Sequence, residues 1–432
     1  MYERIKGFRD FYPDEMRSRR AMTDQLEEVA RRYGFREIGT PALERTQLYA
    51  DKSGDEIIDE LFHFMDQGGR DVAMTPELTP TVARMVVAKQ QELSKPIKWF
   101  STRPFWRYEA VQQGRFREFY QTNVDIFGSS EPEADAEILA YCADALTEMG
   151  LEPEEFEFRV SHRDILGGLL KSFETAINTE EAIRAVDKRE KIEDTEYYTL
   201  LTDAGLTQSQ AERFDALLST DDLSELVEFA GTDRVESAVT NLEKVLKAAE
   251  DFGAREHCTI SLETARGLDY YTGVVFECFD SSGEVSRSVF GGGRYDDLIE
   301  GFGGQPTPAV GVAPGHETLS LLLDRADARP ADSSKTDYYV LQVGETRSVA
   351  ARIARDLRER GNVVETDLSS RGFGAQMNYA DGIDAETVVI VGERDLANDE
   401  ITVKNMESGE QTTAPVDRFP GEAERPTYDD LA

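Results

Sequence analysis

The chain is poor in the side chains that build metal centres and disulfide frameworks. Its 432 residues include only 3 cysteines, Cys142, Cys258 and Cys278, and 4 histidines. An odd, scattered set of cysteines does not make a disulfide framework, and the absence of a CxxC pair removes the usual zinc spacing. His63, His162, His257 and His316 stand far apart, so each is expected on the surface or packed in a core, not as a metal ligand. No run of about 18 apolar residues exists, and the opening stretch MYERIKGFRD lacks a hydrophobic signal region. These absences lead us to expect a soluble cytoplasmic protein. Lysine is scarce as well, with 12 against 36 arginines.

Acid is abundant. The 85 Asp and Glu outnumber the 48 Lys and Arg, giving a net charge of −37. Taken alone, that balance argues against a nucleic-acid partner, which needs a positive footprint. It does not signal disorder, because 40% of residues are hydrophobic and 9% aromatic. The acid is spread along the whole chain, as a cytosol at molar salt favours, where charges are screened within about 3 Å. We therefore expect a salt-accumulating halophile, and in molar salt the global charge no longer argues against nucleic acid.

Length implies two or three domains. An opening helix is expected over 15–33, stopping at Gly34, followed by a short strand in FREIGTPALE that ends at Pro41. IKWFSTRPFWRYEA and REFYQTNVDIFG read as two facing strands, and a helix with Pro132 near its start runs to Gly150. Residues 172–253 have a charged, helical pattern and read as an inserted helical module. Strands are expected again at 257–279 and 285–290, then a glycine-rich segment and a helix near 315–324. Residues 326–336 read as a linker. Beyond it, alternating strands and helices over 337–432 predict a small, mostly parallel α/β domain.

In FYQTNVDIF, period two sends Phe119, Gln121, Asn123, Asp125 and Phe127 to one face and Tyr120, Thr122, Val124 and Ile126 to the other. Three polar residues aligned on one strand face fit either a solvent-facing sheet or a bound polar ligand. The facing strand offers Arg107 and Glu109 together, and arginine suits forked recognition of phosphate or carboxylate. The loop AVQQGRFRE is basic in an acidic chain, so Arg115 and Arg117 with Phe116 could meet a polyanion. TPELTPTVAR sets Glu77 beside Thr79, which helix capping alone would explain. FGGGRYDDLIEGFGG is neither a P-loop nor GxGxxG. Its glycines suit close approach of a ligand or a bulge at a strand end. ARGLDYYTGVVFE is a strand whose first half carries Arg266, Asp269, Tyr270 and Tyr271.

Together these segments resemble the histidyl-tRNA synthetases among the class II aminoacyl-tRNA synthetases. GFREIGTPALE resembles class motif 1, FWRYEAVQQGRFREFYQTNVDIFG motif 2, and ARGLDYYTGVVFE with FGGGRYDDLIEGFGG the two signatures of the histidine enzymes. The resemblance spans most of the chain and is weakest over about 172–253. It implies an α+β catalytic domain over 1–325, a six-stranded antiparallel sheet with flanking helices, dimeric through motif 1. It also implies an α/β anticodon-binding domain after the linker. The implied reaction joins L-histidine and ATP into histidyl-adenylate, with Mg2+ carried on the ATP, and transfers the histidyl group to tRNA(His).

By the same resemblance, Arg107 and Arg266 are catalytic, on opposite sides of the α-phosphate. Glu109 and Arg115 join them in binding ATP. Glu77, Thr79 and Gln121 surround the α-amino group, Asp125 and Tyr271 the imidazole, with Tyr270 beside them. Gln112 and Arg117 contact the tRNA acceptor end, and no metal ligand among the side chains is assigned. Imidazole offers one N–H and one lone pair, which a carboxylate facing a hydroxyl can test. Three departures from the family pattern stand out. Asp125 replaces the common glutamate, and Thr75 stands where arginine is frequent. In AVGVAPGHETLSLLL, the counterpart of motif 3, Thr318 replaces the arginine that holds the γ-phosphate. Arg115, Arg294 and magnesium are the candidate replacements. A different class of function, the non-catalytic synthetase-like regulatory subunit of ATP phosphoribosyltransferase, lacks the anticodon-binding domain and usually the signature arginine. A ligase without tRNA would leave the C-terminal domain unexplained.

Overall fold

The computed structural model describes residues 2–50, 59–173, 175–189, 192–220, 222–264, 270–329 and 336–419. The chain divides into two compact units, Met1–Pro330 and Ala331–Ala432. The first unit lays down β1 (Arg36–Glu37), β2 (Leu43–Arg45), β3 (His63–Met65), β4 (Asp71–Met74), β5 (Ile97–Trp106) and β6 (Glu118–Phe127). It continues with β7 (Phe156–His162), β8 (Cys258–Ile260), β9 (Val274–Asp280), β10 (Phe290–Arg294) and β11 (Ala309–Val312). Eight of these form one sheet in the order β1-β5-β6-β11-β10-β9-β7-β8.

The expected sheet of six is thus extended by two. The six middle strands pair antiparallel throughout, while β1 and β8 join the edges in parallel. Strands of two and three residues carry too little periodicity to be read from sequence. The strand expected in FREIGTPALE is β1, two residues long and over before Pro41. After β1 the chain passes Gly39 and Pro41 and enters β2, which belongs to a separate three-stranded sheet, β2-β4-β3. Pro lacks a ladder donor, which suits a crossing point between sheets. The strand expected at 285–290 lies further on: the glycine-rich segment is itself strand β10, buried along its whole length.

The sheet separates two cores. On one face Val124 and Ile126 of β6 join a large cluster with the helix Pro132–Glu148. The buried faces of the helices Thr179–Asp187, Gln208–Leu218 and Asp233–Asp251 belong to that same cluster. The inserted helices therefore share the main core and do not form one of their own. On the other face, Leu78, Val82 and Val86 of the helix Thr79–Lys89 and its lead-in pack with Phe105, Phe127, Tyr271 and Tyr295. The smaller second face leaves room for a cavity.

The second unit contains β12 (Tyr338–Val343), β13 (Val364–Thr366), β14 (Thr387–Gly392), β15 (Glu400–Asn405) and β16 (Gln411–Pro415), ordered β13-β12-β14-β15-β16. Two pairings are parallel and two antiparallel, so the sheet is mixed and not mostly parallel. The helices Arg347–Arg358 and Phe373–Gly382 complete it.

Candidate active site

A cavity of about 1230 Å³ opens on the second face of the large sheet. Strand β6 forms its floor. Gln121, Asn123 and Asp125 point into it, while Thr122 is buried on the opposite side and holds the His316 ring at 2.9 Å. The alternation of FYQTNVDIF is thus realised, and the polar face is turned to this cavity. Asp125 is 4% exposed. Burial pushes its carboxyl up to about 7, against the pull of a hydrogen bond from the Tyr295 hydroxyl. That bond takes Oδ1, and Oδ2 has no protein partner among the described residues. Asn123 Oδ1 is a buried acceptor likewise left without one. Orphaned acceptors on a cavity floor are free to receive N–H groups from a ligand.

The glycines of β10 have a structural explanation. A Cβ on Gly293 would stand 2.9 Å from Val275 Cγ1 and 3.0 Å from the Tyr271 ring, and one on Gly292 2.7 Å from the Phe276 ring. Gly311, opposite Asp125 on β11, is needed for the same reason, since a Cβ there would collide with Asp125 Oδ1. Bare backbone on two adjacent strands lets Tyr271 and Asp125 lie flat against the sheet. Tyr271 is buried, its ring 5.0 Å from Tyr270 and 6.3 Å from Tyr295. The Tyr270 hydroxyl donates to Glu77 Oε2 at 3.2 Å. Glu77, Thr79 and Gln121 share the wall next to it.

Cationic groups gather towards the loop between β5 and β6. Arg107 donates through Nε to the Pro76 carbonyl at 3.0 Å. Glu109 lies between two guanidiniums, 3.7 Å from Arg107 Nη1 and 3.2 Å from Arg115 Nη1. A carboxylate so placed holds both arginines in orientation while leaving the group net positive. Gln112 lines the cavity, whereas Arg117 is not part of the wall. The Arg117 guanidinium lies over the Tyr108 ring at 3.6 Å and donates to the Glu109 carbonyl at 3.3 Å. Arg266, with Gly267 and Asp269, lies outside the described residues.

Position 318 and its candidate replacements separate clearly. The Thr318 hydroxyl donates to the Val289 and Gly315 carbonyls and presents no charge. Arg294 is not a replacement: it is buried away from the cavity, gripped by Asp135 and donating to the Ser129 carbonyl at 2.9 Å. Its role is to tie β10 to the helix Pro132–Glu148. Two residues escaped sequence reasoning. Tyr295 stands in the glycine motif FGGGRYDDLIEGFGG, directly after the end of β10 and two residues beyond Gly293, a spacing that was the available signal. Arg287 lines the cavity from a loop without periodic pattern.

No group of three or more His, Cys, Asp or Glu that could hold a metal exists among the described residues. Mg2+ commonly needs only one or two carboxylates beside substrate phosphates, and Glu109 and Glu277 on the wall suit that smaller demand. His162, His257 and His316 are buried and serve packing, whereas His63 is exposed on β3 with its Nδ1 3.2 Å from Asp71 Oδ1. Burial lowers His162 to about 4 and His316 to about 3, and His257 stacks on Phe156 at 4.5 Å.

The comparisons with known proteins agree along the whole chain. Residues 7–319 match the family described as histidyl-tRNA synthetase, and residues 337–425 match the anticodon binding domain. A histidine–tRNA ligase of Natronomonas pharaonis is 72% identical over 432 residues, covering 100% of both chains. That of Haloarcula marismortui is 69% identical over 434 residues with the same coverage. Both come from halophilic archaea. The crystal structure of histidyl-tRNA synthetase from Nostoc sp. PCC 7120 superposes with a TM-score of 0.83 at 24% identity, over 96% of this chain and 97% of that one, a likeness of fold. The chain belongs to the histidyl-tRNA synthetase family of class II aminoacyl-tRNA synthetases.

Proposed function

We propose that the chain is a histidine–tRNA ligase that activates L-histidine with ATP and esterifies tRNA(His). The observation that carries this reading is the Asp125–Tyr295 pair, set among tyrosines on the floor of a cavity whose far wall is lined with arginines. Imidazole N–H would be received by Asp125 Oδ2, with Tyr271 opposite, and the ammonium by Glu77, Thr79 and Gln121. A histidine carboxylate oxygen attacks the α-phosphorus of ATP, and the bond to pyrophosphate breaks. The 3′-terminal ribose hydroxyl of the tRNA then attacks the histidyl carbonyl and releases AMP. Arg107 and Arg266 stabilise the charge that develops on the α-phosphate. Mg2+ travels with ATP and neutralises charge on its phosphates. Gln112 and Arg117 are proposed for the acceptor end, and residues 337–432 for the anticodon.

We propose a homodimer through the motif 1 region, because Leu43, Phe64 and Met65 leave the three-stranded sheet with apolar side chains exposed. No described helix is long and apolar enough to cross a membrane, in keeping with a cytoplasmic site of action. The match of residues 337–425 to an anticodon binding domain favours the ligase over the regulatory-subunit reading. The test is histidine-dependent exchange of pyrophosphate into ATP at molar KCl, followed by charging of tRNA(His). Exchange and charging are expected; a folded chain with neither activity overturns the proposal.

A further inference from the structure

We propose that Arg287 is a phosphate-binding residue of the ATP site, supplying with Arg115 the cationic grip on the outer phosphates that position 318 lacks. The inference rests on the ligase reading above. Position 318 holds a threonine whose hydroxyl is spent on two backbone carbonyls. A cation must therefore reach the same place from another segment. Arg287 does so, because a single point above Gly114 lies 3.3 Å from Thr318 Cγ2 and 3.8 Å from Arg287 Nη1.

The Arg287 side chain is fixed and underused. Its Nη1 donates to the Gln113 carbonyl at 3.1 Å, which anchors the guanidinium on the loop that carries Arg115. Its Nε is buried and has no hydrogen-bond partner, and no described carboxylate forms an ion pair with it. Burial, and after it repulsion from Arg115, lowers the Arg287 pKa, and Glu109 offsets only part of this. Glu109 is itself already shared between Arg107 and Arg115. Arg107, Arg115 and Arg287 line the same cavity, and Glu109 pairs with the first two only, which leaves a group of cations suited to a multiply charged anion. The outer phosphates of ATP fit that description, whereas AMP has none to offer.

The test compares Arg287→Ala and Arg287→Lys with the wild type at molar KCl. Arg287→Ala is expected to raise the ATP KM in pyrophosphate exchange by about tenfold or more, the usual loss for a charged hydrogen bond. The histidine KM and the inhibition constant of AMP are expected to stay within about twofold. Arg287→Lys, which keeps charge but loses the fork, should fall between, and Thr318→Arg added to Arg287→Ala should restore ATP affinity. A structural role would move AMP, histidine and the melting temperature together. ATP KM within about twofold of wild type in both single variants overturns the proposal, as does a parallel loss of AMP affinity. Calorimetric titration with ATP and with AMP, without histidine, keeps this separate from the ligase reading. Selective loss of ATP binding in a chain without exchange activity would uphold Arg287 and sink only that reading.

Discussion

At the scale of single residues, the buried carboxyl of Asp125 has a measurable signature. An aspartate in an unfolded chain loses its proton near pH 4, while burial holds Asp125 protonated up to about 7. Between those values the folded protein keeps a proton that the unfolded chain has released. The group therefore lowers stability progressively as pH rises from about 4 to 7, and by a constant amount above that. Asp125→Asn removes the titration and still accepts from the Tyr295 hydroxyl. The variant is expected to melt at a higher temperature than the wild type at pH 8, with the gap closing as pH falls towards 4. A gap that does not depend on pH would contradict the buried carboxyl. The same variant should raise the histidine KM about tenfold, the scale of a lost charged hydrogen bond. The polar face of β6 was legible in sequence from period two alone. Tyr295 was not, because its partner lies 170 positions away and only the pairing of β6, β11 and β10 brings them together.

At the scale of elements, the glycines of β10 and β11 are a packing device, and the prediction belongs to Gly311. A methyl group there would meet Asp125 Oδ1 and the Val124 carbonyl, the latter at 2.9 Å. Gly311→Ala is expected to cost about 1–3 kcal/mol by overpacking and to raise the histidine KM, as read by thermal melting and exchange kinetics. Gly39→Ala is the control, since an added Cβ there meets nothing within 4 Å. If both substitutions have equal effects, close packing is not the reason for glycine at 311. The sequence left open whether the glycine run served ligand approach or a bulge. It could not show a third use, a flat strand under aromatic rings, because Phe276 and Tyr271 belong to another segment.

At the scale of the whole molecule, 85 acidic against 48 basic residues make self-repulsion a bulk term. Molar salt confines each charge to about 3 Å, whereas at about 0.1 M the screening length is near 10 Å. Dialysis from molar to about 0.1 M KCl is expected to lower the melting temperature and the exchange activity together. Indifference of both to salt would overturn the adaptation. The inserted helices are expected to unfold with the catalytic sheet in one transition, since their buried faces lie in the same core.

The sequence by itself determined the two units, the helices with their glycine and proline punctuation, the polar face of β6 and the family, because each is written in local periodicity or in contiguous motifs. Tertiary structure alone decided the two parallel edge strands, the union of the inserted helices with the main core and the removal of Arg294 into a buried ion pair. It also decided the convergence of Arg287 on Thr318. Those outcomes depend on which distant segments touch, and contact across the sheet leaves no period in the chain.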